Sequence, residues 1–98
     1  MSPFRWLAPL LAAPTVIDVP TSRRLCALVE AKNRMCYINA LRALFHLTNA
    51  TYVEGFVVLR IGTRLEHAWL ETPRGVVDPS PNYVAMAQGD RTYFPGPR

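Results

Sequence analysis

Little in this chain would fix its shape or its partners from outside. Of its 98 residues only two are cysteines, Cys26 and Cys36. Lying ten residues apart on what reads as one helical region, they are poor partners for each other. That excludes a disulfide framework and favours reduced thiols in a cytoplasmic setting. No Cys-x-x-Cys or comparable paired spacing occurs, so neither a metal nor any other cofactor is expected. Zinc held by Cys36, His67 and Asp78 is the alternative that this spacing disfavours. No run of like charge is present either. Eleven basic residues are scattered among seven acidic ones, giving a net charge of +4 and a pI near 9.6. Without a concentrated basic face or a glycine–aromatic signature, nucleic acid is not the expected partner. No apolar run is long enough for a membrane-spanning helix, so no membrane partner is expected. The opening MSPFRWLAPLLAAP places one arginine before a short apolar run broken by Pro9. Secretion is therefore the alternative to a cytoplasmic location. There are no internal repeats.

What is present suffices for one core. Half of the residues are hydrophobic, and the nine prolines gather at the two ends. The expectation is a single domain over 1–98, in which 1–20 is an extended arm packing Phe4, Trp6, Leu7 and Leu10 on the rest. After Pro20, Thr21 or Ser22 can cap a helix whose buried stripe is Leu25, Leu28 and Val29. Asn33-Arg34 breaks it. A second helix runs from about Met35 to about Leu47, with Tyr37, Leu41, Leu44 and Phe45 as its apolar face. Thr48-Asn49 ends it. TYVEGFVVLRI reads as an interior strand, Gly62-Thr63 as a turn, and LEHAWLE as an alternating strand. TPRG suits a type I turn into a short third strand, VVD, stopped by Pro79 and Pro81. A further short strand is expected at Thr92–Phe94. The fold class expected is thus α+β: two helices, or one broken helix, packed on a small antiparallel sheet of three or four strands.

The stretch EHAWLETPRGVVDPS carries two polar residues, His67 and Asp78, on strands that adjoin. Antiparallel neighbours lie about 4.8 Å apart, so these side chains can touch. Cys36, at the start of the second helix, is the third member. Unsatisfied N–H groups and the helix dipole favour a thiolate there, and the neighbouring Lys32 and Arg34 are expected to push the same way. A carboxylate that fixes an imidazole pointed at a thiolate is what nucleophilic acyl transfer needs.

CYINA, YVEGFVV, HAWLETPRGVVDPS and YFPG, in that order over residues 36 to 96, resemble the transglutaminase-like, papain-related cysteine enzymes. More narrowly, they resemble small bacterial and phage-encoded members. The resemblance implies a papain/transglutaminase-like core with Cys36 as nucleophile, His67 as base and Asp78 as orienting acid. It also implies a peptide or protein substrate attacked at a backbone or side-chain amide. Hydrolysis, deamidation and acyl transfer all share the thioester step, and they stay open here. Two departures matter. No glutamine precedes Cys36 to complete an oxyanion hole, so Asn33 or Lys32, with the Cys36 backbone N–H, is expected to substitute. The chain is also short for the superfamily, so one cleft wall is expected to be missing or to come from another chain, as in a homodimer.

The remaining polar and aromatic residues divide more evenly. Asn39, on the same helix side as Cys36, either orients the site or tethers a strand. Glu54 either lines the cleft or is a solvated strand residue. Trp69 is either core or a lid on the substrate, with core favoured. Tyr93 and Phe94 are expected to cover an edge of the core. Cys26 reads as a small buried hydrophobe beside Leu25, and His46 as a surface residue or dipole partner at a helix end. The competing function is a catalytically inactive binding module on the same fold.

Overall fold

A computed structural model describes residues 16–96, so the arm contacts expected of Phe4, Trp6, Leu7 and Leu10 lie outside the described residues. Two helices, α1 (Val19–Leu28) and α2 (Cys36–Leu44), precede strands β1 (Thr51–Leu59), β2 (Arg64–Thr72) and β3 (Gly75–Val77). A four-residue helix α3 (Pro81–Val84) and a short 3-10 turn (Gln88–Asp90) lead into β4 (Arg91–Pro95). The four strands form one antiparallel sheet in the order β3-β2-β1-β4. The class is α+β, as the change of periodicity near residue 50 implies.

Local chemistry sets the boundaries. Helix α1 is capped three residues before Thr21 and four before Ser22, the caps expected from sequence. Its cap is Asp18, whose side chain accepts from the Thr21 N–H at 3.2 Å, and Pro20 sits in the first turn. A proline is harmless there because its missing N–H would have had no helical partner. The expected arm therefore stops short of 20. Ile17 is buried and bridges Val76 in parallel, with the Asp18 N–H donating to the Val76 carbonyl at 2.8 Å. Gly75 permits this contact: a Cβ there would lie 2.4 Å from the Val16 carbonyl oxygen, and its φ of 125° disfavours any other residue.

Helix α1 ends at Leu28 with Val29 as its cap, earlier than the break expected at Asn33-Arg34, and the chain turns through Glu30 (φ 52°) and Arg34 (φ 64°) before α2. Helix α2 ends at Leu44 rather than Leu47, and it is rotated from the expected orientation. Tyr37, Leu41 and Phe45 are exposed, while Asn39, Ala40 and Ala43 are buried. Leu28 of α1 is likewise exposed, whereas Leu25 and Val29 are buried. Hydrophobic spacing alone favoured the larger side chains, but the small face of α2 allows its backbone to lie close to β2.

Both faces of the sheet are covered, which is why His67, Ala68, Trp69 and Leu70 are all buried. Ala68, Leu70 and Val77 pack with Leu25, Val29, Ala40 and Ala43 from the helices. On the other face Trp69 packs with Val53, Val57, Ile17, Val76, Tyr83 and Tyr93. Gly55, paired with His67 in the β1–β2 register, has no room for a side chain. A Cβ would lie 2.3 Å from the Phe94 carbonyl oxygen and 2.9 Å from Trp69 Cη2.

Candidate functional site: a cysteine beside a buried histidine and aspartate

Cys36 is the first residue of α2, partly buried against the middle of β2. The backbone N–H groups of Ala68, Tyr37 and Cys36 itself lie toward its sulfur and favour the thiolate. Burial is the stronger influence, and with the nearby Asp78 charge it pushes the Cys36 thiol above its ordinary value. This reverses the expectation of a depressed thiol. Neither Lys32 nor Arg34 is among the groups acting on the sulfur. Both are exposed in the loop before α2, where water screens their charge. In the resting protein the sulfur is a thiol that needs a base.

His67, the expected base, has a fixed position. His67 is 2% exposed on β2, and its Nε2 lies 2.7 Å from Asp78 Oδ2. A carboxylate only accepts, so Nε2 carries the proton and Nδ1 is the nitrogen left over. The ring stacks on Tyr83 with centroids 4.0 Å apart, which limits its rotation. The His67 ring and Cys36 line one cleft of about 460 Å³, together with Asn33, Arg34, Tyr37, Leu65, Glu66, Ser80, Asn82 and Tyr83.

Asp78 is fully buried just beyond β3, and both of its carboxylate oxygens and its N–H are held. Besides His67, Oδ2 accepts from the Tyr93 hydroxyl at 2.6 Å, and Oδ1 accepts from the Ser80 N–H at 3.2 Å. The Asp78 N–H donates to Ser22 Oγ at 3.0 Å, and that hydroxyl donates to the Asp18 carbonyl at 2.8 Å. The Tyr93 oxygen in turn accepts from Arg91 Nε at 2.8 Å. A buried chain thus runs Arg91–Tyr93–Asp78–His67. Sequence reading gave Tyr93 only a covering role and did not single out Arg91. Their alternation on a short strand, Arg-x-Tyr, was the one available signal that both side chains share a face.

The other candidates separate clearly. Asn33 is exposed and lines the cleft. Asn39 is 2% exposed and serves the scaffold. It donates to the Lys32 carbonyl at 2.7 Å and to Ser80 Oγ at 3.4 Å, and accepts from the Lys32 N–H at 3.1 Å. It ties the loop before Cys36 to the segment after Asp78. Lys32 is held there by its backbone and does not line the cleft. Glu54 is not in the cleft: it is exposed on β1 and accepts from the Tyr52 hydroxyl at 2.8 Å. One strand separates it from the open edge of β2. Trp69 is fully buried core, covered on its face of the sheet by Tyr83 and Tyr93, so it cannot act as a lid. Its indole N–H has no partner among the described residues. Cys26 is only partly buried, less than a core hydrophobe would be, and burial raises its thiol as well. His46 is exposed just after α2.

Among the described residues no group of three His, Cys, Asp or Glu side chains is placed to hold a metal ion. None of the described helices is long and apolar enough to cross a membrane. No protein-family model, curated protein or solved structure matches the chain.

Proposed function

We propose that this protein is a cysteine-dependent enzyme acting on amides through a thioester, with Cys36 as nucleophile, His67 as base and Asp78 as orienting acid. The observation that carries this reading is the buried 2.7 Å His67–Asp78 bond beside a cleft that Cys36 lines. It gives a physical basis to the resemblance to transglutaminase-like, papain-related enzymes. In the first step the Cys36 proton passes to His67 Nδ1 and a bond forms between Sγ and the substrate carbonyl carbon. The oxyanion so formed meets Asn33 and the backbone N–H groups around the sulfur. Collapse breaks the carbon–nitrogen bond, and the amine leaves with the proton from His67. Water or a second amine then takes the acyl group from sulfur, with His67 accepting the incoming proton.

Intact-mass and peptide mapping after incubation with an activated acyl ester tests this directly. The acyl group should appear on Cys36, and Cys36→Ala should abolish it with little change in melting temperature. Asp78→Asn keeps the shape but loses the acceptor that sets the tautomer, and the acylation rate per folded molecule should fall about 10²–10³-fold. A modification spread equally over Cys26 and Cys36, or an Asp78→Asn rate equal to wild type, rules the triad out. The raised thiol favours a second reading, an idle site on a binding module, and that reading predicts no selectivity for Cys36 at neutral pH.

A further inference from the structure

The hydrogen-bond phase along β2 shows what the strand offers to the cleft. Bonded and non-bonded pairs alternate in an antiparallel ladder, so one bond fixes the rest. At the β1–β2 turn the Leu59 N–H donates to the Thr63 carbonyl at 2.8 Å. Counting along the register from there, Leu65, His67, Trp69 and Glu71 exchange bonds with β1. Arg64, Glu66, Ala68, Leu70 and Thr72 therefore turn their N–H and C=O groups to the opposite edge. The far side of β1 agrees: Glu54 falls on a non-bonded pair with β2, and its carbonyl accepts from the Gly96 N–H beyond β4 at 3.0 Å.

On that opposite edge, Leu70 and Thr72 pair with Val77 and Gly75 of β3. The chain then leaves the sheet at Asp78-Pro79, and the Ala68 N–H meets the Cys36 sulfur instead. Glu66 comes next. Among the described residues its backbone N–H and C=O have no partner, and the residue lines the cleft. It lies two residues from Ala68, about 6.8 Å along the strand.

We infer that the cleft takes an extended peptide that adds to the open edge of β2 by pairing its backbone with Glu66. A strand laid there continues the line of β3, and its own main chain runs over the sulfur at Ala68. This rests on the proposed Cys36 chemistry and narrows its substrate from any amide to a main-chain amide of an extended segment. A side-chain amide entering end-on would leave the Glu66 backbone unused.

Protection of Cys36 from iodoacetamide, followed by mass spectrometry, reads occupancy whether or not His67 acts as a base. A randomised pool of N-acetyl tetrapeptide amides should protect Cys36, and the same pool N-methylated at every backbone amide should need about tenfold more. N-acetylglutamine amide, which offers a side-chain amide, should protect poorly. Glu66→Pro removes one N–H from the open edge without touching the β1 ladder, and the pool's half-protection concentration should rise by about the same factor. The methylated arm uses the wild-type chain, so it decides the matter even if Glu66→Pro fails to fold. Equal protection by methylated and unmethylated pools, or better protection by N-acetylglutamine amide, overturns the inference. Failure of the catalytic reading appears separately, as peptide protection without acyl-Cys36.

Discussion

At the scale of single residues, the Tyr93 hydroxyl carries more than its place in a short strand implies. Burial, and then the Asp78 charge, push its ionisation well above the ordinary tyrosine value, although Arg91 works the other way. Tyr93 accepts from Arg91 and donates to the carboxylate oxygen that holds His67, so it sets how firmly Asp78 sits. Tyr93→Phe leaves two buried groups short of a partner, and stability at pH 7 should fall by about 1–3 kcal/mol. A raised folded-state value favours the folded chain below pH 10, the unfolded tyrosine's own value, and is lost as pH rises above it. Wild type should therefore lose about 1.4 kcal/mol per pH unit more than the mutant above pH ~10. Denaturant unfolding at pH 7, 10.5 and 11.5 checks this; a constant gap between the two proteins would remove the buried phenol from the account.

Among the elements, α2 departs furthest from its sequence pattern. Its fully buried contacts are Ala40 and Ala43, while Leu41 is 44% exposed. Ala40→Leu should cost about 1–3 kcal/mol through overpacking against β2. Leu41→Ala should change stability by only about 0.5 kcal/mol, against the 2–5 kcal/mol of a core leucine. Thermal melts of the two variants check the orientation of the helix, and a large loss for Leu41→Ala would restore the hydrophobic stripe. The strands were more legible because their signals are local: β-branched runs, Gly62 and Gly75 at turns, and Pro79 as a stop. The helix face was not, because two alanines pack a backbone closely without standing out in a hydrophobic pattern. His67 and Asp78 could be paired by strand adjacency alone. Tyr93 could not be added, since β4 lies across the sheet beyond β1 and only the tertiary fold brings its side chain under the carboxylate.

For the whole molecule, the decisive arrangement is a sheet covered on both faces with one stretch of β2 left open at its edge among the described residues. One face buries the imidazole among aromatic rings, and the other packs the helix that carries the thiol. They meet at that edge, where the sulfur sits against Ala68 in the cleft it shares with His67. Under the proposed mechanism, a thiol raised by burial needs the histidine at neutral pH and no longer needs it once hydroxide does the same work. The most direct test is the rate of Cys36 acylation from pH 6 to pH 10 in wild type and His67→Ala, each carrying Cys26→Ser. A Cys36–His67 pair predicts a wild-type rate at pH 7 about 10²-fold or more above the variant. The variant should then gain close to tenfold per pH unit as its free thiol ionises, narrowing the gap toward pH 10. Superimposable profiles for the two proteins would contradict the pair.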